Sequence, residues 1–232
     1  MNIEMRLDNP VIQGNWADPF VLKDGEDYYL YPTKDSTDWS YAKFHVFYSK
    51  DLINWDGPHL ALDLQWVQWA SQSAWAPCVG KFNGKYSMYF SAESQIGVAV
   101  SDSPLGPFVD LLGVPLIGSD AYGCQSIDAD LFIDEDNQPY LLWGQGKCWI
   151  VPLEDDMSTF KAEPVLLSEQ IYLSKGKDAS KEDKTVYNEG PHLQKYQGKY
   201  WLTWSNYDTR DPLYQVAYGF SDKIYGPYQV PV

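Results

Sequence analysis

The sequence predicts an all-β fold of the β-propeller type. First, residues 21–31, 79–89, 131–142 and 193–203 stack in register as an apolar strand, a tight Gly or Asp/Asn turn and an aromatic-rich strand, the signature of a β-hairpin. Second, another pair of strands follows each hairpin, and three of these pairs end in turns that read alike: Asp51-Leu52-Ile53-Asn54-Trp55, Asp102-Ser103-Pro104-Leu105-Gly106-Pro107-Phe108 and Asp222-Lys223-Ile224-Tyr225-Gly226-Pro227-Tyr228. Third, the anchors Pro19, Pro77, Asp130 and Pro191 lie 58, 53 and 61 residues apart. Four-stranded repeats of that length are propeller blades, which cannot bury their faces alone. A sandwich would not predict four similar units of this size.

The first unit opens at Trp16-Ala17-Asp18-Pro19-Phe20 and the second at Trp75-Ala76-Pro77. The third opens at Ser126-Ile127-Asp128-Ala129-Asp130-Leu131-Phe132, and its second strand pair, residues 148–160, matches least well. The fourth opens at Tyr187-Asn188-Glu189-Gly190-Pro191-His192. Asp18 before Pro19 would by itself read as a turn residue. Asp128 and Asp130 would alternate onto one face of a strand. Asp18, Asp128 and Glu189 recur at matching points of units one, three and four. The first strand of a propeller blade lines the central channel, so these acids are expected to face one another there. Burying carboxylates together is costly unless their interaction is used.

Composition narrows the partner. At 232 residues and 16% aromatic, one large all-β domain spanning 1–232 can bury a core. Lys and Arg number 17 and Asp and Glu 32, a net charge of -15 at pH 7. Such a chain is repelled by nucleic acid and by anionic membrane surfaces, so neither is expected as a partner. No apolar run is long enough for a transmembrane helix. Residues 1–8 lack an apolar leader core, which implies a cytoplasmic protein if Met1 is the native start and an exported one if a leader was removed. Cys78, Cys124 and Cys148 are odd in number and lack CxxC spacing, and they read as buried free thiols. His45, His59 and His192 have no metal-ligand spacing, and Asp134-Glu135-Asp136-Asn137 fills the hairpin-turn slot, which makes it turn chemistry and not a calcium loop.

At these residues the chain resembles glycoside hydrolase family 43, from about residue 11 to residue 228. The carrying motifs are Asp18 before Pro19, Trp75-Ala76-Pro77, Asp128 after Ile127, and Glu189 before Gly190-Pro191. The resemblance implies a five-bladed propeller that cleaves arabinosyl or xylosyl linkages of oligosaccharides or polysaccharides with inversion. It implies Asp18 as general base, Glu189 as general acid, and Asp128 as a third carboxylate that orients the acid and raises its pKa. Trp75 and Trp16 become candidates for stacking on sugar rings. Propeller glycosidases acting on fructosides carry an Arg-Asp-Pro ahead of their acid, whereas Arg210-Asp211-Pro212 follows Glu189 and reads as coincidence. No cofactor is expected, because the last-blade His that family members often place near a bound metal has no counterpart here. A repeat averaging about 57 residues puts a fifth unit near residue 248, so the chain reads as four blades with the fifth missing, truncated at its C-terminus. An open wedge is expected between the Asp18 and Glu189 blades. The alternative is a carbohydrate-binding propeller without turnover.

Overall fold

The computed structural model describes residues 10–173 and 187–231. Residues 1–8, read above for a leader, lie outside the described residues. Blade one holds β1 (Trp16–Asp24), β2 (Asp27–Lys34), β3 (Lys43–Ser49) and β4 (Asp56–Asp63). Blade two holds β5 (Trp75–Phe82), β6 (Lys85–Ala92), β7 (Gln95–Ser101) and β8 (Val109–Asp110). Blade three holds β9 (Asp130–Ile133), β10 (Pro139–Trp143), β11 (Trp149–Pro152) and β12 (Val165–Leu166). A short β13 (Ile171–Leu173) then runs parallel to the outer strand of blade four, which consists of β14 (Tyr187–Tyr196), β15 (Lys199–Asn206), β16 (Gln215–Ser221) and β17 (Tyr228–Val230).

The repeat has local causes. Each inner hairpin turns through a residue with positive φ: Gly25 (+62), Gly84 (+80), Asn137 (+64) and Gly198 (+75), the residue types that tolerate this region. The three similar outer turns open alike as well. The hydroxyls of Ser49, Ser101 and Ser221 accept from the N–H two residues on, at 3.1 Å each, and so close the loop locally. The third unit is the exception that its weak match foretold, but its outer strand is not where the sequence suggested. Phe160 makes only an isolated bridge to Leu153, and the strand forms later, at Val165–Leu166. The carboxylate of Asp156 accepts from the N–H groups of Ser158 and Thr159, both at 2.8 Å, folding into a turn the stretch expected to pair.

Strand alternation then divides the core between blades. Along β6, Tyr86, Met88 and Phe90 face blade one while Tyr89 faces blade three. Along β10, Leu141 and Trp143 face blade two while Leu142 faces blade four. Three apolar clusters result, one at each interface between consecutive blades. Their largest members include Trp143, Trp204 and Tyr31, all fully buried. Each buried large apolar side chain contributes roughly 1.5–3 kcal/mol of transfer free energy, so the blades are stabilised by contact with neighbours. Cys78, Cys124 and Cys148 are free and buried within these clusters.

Packing runs from β1 and β2 onto β5, from β5 onto β9, and from β9 and β10 onto β14. No packing of comparable extent joins blade four to blade one among the described residues. The outward face of blade four carries Tyr218 and Val216, paired across from Thr203 and Ser205, and Val216 is 74% exposed. The four blades are therefore not closed face to face into a sealed ring.

Candidate active site

All four blades kink at the start of their channel-lining strand. Asp18, Ala76, Asp128 and Gly190 have positive φ, at +45°, +41°, +58° and +62°. Register shifts accompany the kink between Ala17 and Phe20, between Trp75 and Cys78, and between Glu189 and His192. Bulges of this kind re-aim side chains. A left-handed non-glycine residue costs roughly 1–2 kcal/mol, and strain of that size persists where the surroundings hold it, as at functional sites.

This geometry corrects the sequence reading in three places. The residue of unit three that aligns with Pro19, Pro77 and Pro191 is Ala129, not Asp130, so the steps become 58, 52 and 62 residues. The three acids also do not share one repeat position. Asp18 and Asp128 occupy the kink, while Glu189 sits one residue ahead of it, where the other blades place Ala17, Trp75 and Ile127. Strand alternation does not relate Asp128 to Asp130 either, because Asp128 precedes β9 in a left-handed conformation. Asp130 instead ties blade three to blade four. Its carboxylate lies 2.9 Å from His192 Nδ1 and accepts from the Leu193 N–H at 2.9 Å, and its charge raises the His192 pKa.

The kinks open onto one cavity of about 870 Å³, which Asp18, Asp128 and Glu189 all line. Each carboxylate is held by a neighbour. Asp18 Oδ2 accepts from the Thr33 hydroxyl at 2.7 Å, Asp128 Oδ2 from the Gly190 N–H at 3.0 Å, and Glu189 Oε2 from the Gln145 amide at 2.6 Å. Burial first, and then the charges of Asp18 and Glu189, push Asp128 up to about 8, with the Gly190 N–H opposing. Asp18 keeps contact with solvent through the cavity mouth, yet the surrounding walls raise its pKa. The Thr33 hydrogen bond opposes that rise and the Asp35 charge adds to it. Two or more interacting carboxylates titrate as a set, and burial favours the protonated form of Asp128 within it.

The two tryptophans part company. Trp75 lines the cavity, its indole N–H fixed on the Trp39 carbonyl at 3.0 Å. Trp16 is not among the lining residues, and its ring is already engaged. It packs edge-on to Phe47 with centroids 5.1 Å apart and lies under the Lys34 ammonium at 4.3 Å. Its indole N–H donates to the Gln13 carbonyl at 3.1 Å. Sequence reasoning missed Thr33, Trp39, Gln145, Arg210 and Tyr214, all of which line the cavity. Arg210 carries a signal, Arg210-Asp211-Pro212, but on the wrong side of Glu189 for the fructoside pattern. The loop between β15 and β16 brings Arg210 to the rim, its guanidinium forked onto Asp208 at 2.6 and 2.8 Å. The others carried none, since they act from second strands and loops outside the repeated motif.

Among the described residues no three His, Cys, Asp or Glu side chains converge as a metal site. His192, on the cavity wall, is engaged by Asp130.

Residues 7–231 match the family model described as Glycosyl hydrolases family 43. A β-D-galactofuranosidase of Aspergillus niger is 30% identical over 95% of this chain and 65% of its own length, so the chain spans just under two thirds of that relative. A xylosidase/arabinosidase of Bacteroides ovatus is 29% identical over 91% of this chain and 75% of its own. Among solved structures, a thermostable family-43 glycoside hydrolase superposes with a TM-score of 0.77 at 31% identity, covering 96% of this chain and 74% of that one. A β-xylosidase/α-arabinofuranosidase from a compost metagenome, solved with xylotriose in a calcium-free form, superposes with a TM-score of 0.81 at 26% identity, covering 95% and 78%. A four-bladed run of a propeller, kinked to gather three acids in its channel and matched over nearly its whole length, belongs to glycosyl hydrolase family 43.

Proposed function

We propose that this chain hydrolyses arabinosyl or xylosyl linkages of oligosaccharides or polysaccharides with inversion, using Asp18, Asp128 and Glu189. The observation that carries the reading is the convergence of three carboxylates from three blades, with Asp128 held near pKa 8 by burial and by the other two. In the proposed reaction Asp18 takes a proton from water as its oxygen attacks the anomeric carbon. The glycosidic C–O bond breaks on the opposite face, and the leaving oxygen takes a proton from Glu189. Asp128, fastened to the N–H that follows Glu189, orients the acid and keeps a proton within the pair. Trp75 offers an aromatic wall for a sugar ring. The reading also draws on the names of relatives that act on xylosides and arabinosides.

Nitrophenol release from aryl α-L-arabinofuranoside, β-D-xyloside and β-D-galactofuranoside tests both activity and sugar. The galactofuranoside is included because of the A. niger relative. Turnover of a pentoside, lost in Asp18→Asn, is expected. Carbohydrate binding without turnover on any of the three would overturn the enzymatic reading.

A further inference from the structure

Thr33, on β2 and 5% exposed, belongs to none of the sequence motifs. Its hydroxyl donates to Asp18 Oδ2 at 2.7 Å and accepts from the Ala76 N–H at 2.7 Å. A hydroxyl has one proton to give, and here it is spent on Asp18. The donor on its other side comes from blade two, where Ala76 is held at φ +41, the same kink that turns Asp18 inward in blade one. A hydrogen-bonded chain therefore runs from the backbone of one blade to the carboxylate of the next. It engages Oδ2 of Asp18, a residue that lines the cavity, and no hydrogen bond from the described residues engages Oδ1.

We propose that Thr33 is a positioning residue for the general base. By fixing Oδ2 it sets the direction in which Oδ1 meets the attacking water, and it favours the ionised form that can accept the water's proton. The inference rests on the reading of Asp18 as the base. It is distinct from a packing role, because the Thr33 methyl can be kept while the hydroxyl is removed. Misdirecting a reacting group by about 1 Å costs up to roughly 100-fold in rate. A charge-stabilising hydrogen bond to a carboxylate lowers its pKa, the direction in which Thr33 acts on Asp18. Removing it moves the acid limb of activity to higher pH.

The test is the pH profile of kcat/KM, with kcat and KM at the optimum, for the full chain and for Thr33→Val, Thr33→Ser and Asp18→Asn. For Thr33→Val the expected result is a kcat lower by about 10- to 100-fold, a KM changed less than about twofold, and an acid limb displaced upward. Thr33→Ser should restore both rate and limb. Should Thr33→Val not fold, Thr33→Cys, which keeps a similar volume but only a weak donor, reads the same displacement. A folded Val or Cys variant with an unmoved acid limb, whatever its melting temperature, overturns the proposal and leaves Thr33 structural. Failure of the base reading would look different: Asp18→Asn would stay active while the Thr33 variants were silent, and the proposal would fall with it.

Discussion

The Gly190 N–H donates to Asp128 Oδ2 at 3.0 Å, so the carboxylate of blade three is fastened to the residue directly after Glu189 in blade four. The bond exists because Gly190 adopts φ +62, a conformation open to glycine at no steric cost. Space is not what selects glycine here, since a Cβ would meet only Ser205 Oγ, at 3.7 Å.

Gly190→Ala therefore tests the backbone alone. It should fold, lose roughly 1–2 kcal/mol, and melt about 2–8 °C lower. A relaxed backbone would swing the N–H off Asp128, so kcat should fall by about tenfold or more with KM nearly unchanged. Full activity in a destabilised variant would show that the bond does not hold the site.

Glu189→Gln separates acid from base. Activity on substrates with poor leaving groups should drop by about 10²–10⁴-fold, whereas activated aryl glycosides, which need little protonation, should lose far less. Asp18→Asn should fail on both alike, because attack by water is common to both. Equal losses across leaving groups for Glu189→Gln would exclude it as the proton donor.

Asp128 should also show its cost in stability. Its folded pKa is raised to about 8 by burial and by Asp18 and Glu189. A raised carboxylate contributes stability that is complete below its unfolded pKa of 3.8 and is lost as pH rises toward 8. Asn mimics the protonated form at every pH. Asp128→Asn should therefore melt close to wild type near pH 4 and above it at pH 9, by at least about 2–4 °C, while being inactive. A variant no more stable than wild type at pH 9 would mean that Asp128 is not strained by its neighbours.

Much of this was legible because repetition reinforces weak signals. Asp18-Pro19, Ala76-Pro77 and Gly190-Pro191 are short and common, yet their spacing located the channel strands and gathered the acids. What the sequence hid was conformation. Positive φ at Asp128 cannot be read from Ile127-Asp128-Ala129, so the alternation with Asp130 looked sound, and the register slipped by one residue. Trp16 and Trp75 both stand just ahead of a kink, two residues before Asp18 and one before Ala76, and the packing of Phe47 and Lys34 around Trp16 sets it apart. Thr33 and Gln145 reach the acids from outside the motif, where a single Thr or Gln carries no pattern.

The hairpin turns hold a second repeated device, and it yields a graded prediction. Asp24 of blade one accepts from Lys81 Nζ and the Tyr86 hydroxyl of blade two, and Asp134 of blade three accepts from Lys195 Nζ and the Tyr200 hydroxyl of blade four. Both Lys–Tyr pairs are five residues apart, with the ammonium 5.2 and 4.9 Å from the ring centre. Exposure separates the two latches. The Asp134 and Lys195 side chains are 10% and 20% exposed, against 26% and 43% for Asp24 and Lys81. Exposed ion pairs contribute little, whereas removing a buried acceptor strands its donor at about 1–3 kcal/mol, here the Tyr200 hydroxyl, because Lys195 Nζ also reaches Glu135 Oε2 at 2.8 Å. In urea unfolding at pH 7, Asp134→Ala should lose about that much and Asp24→Ala distinctly less. The Tyr86 and Lys81 bonds hold Asp24 below the usual carboxylate range, so its contribution is present above pH 3.8 and disappears as pH falls through the depressed value. The gap between wild type and Asp24→Ala should narrow on acidification accordingly. Equal losses for the two variants at pH 7, or a gap that widens in acid, would show that the latches do not work through their charge.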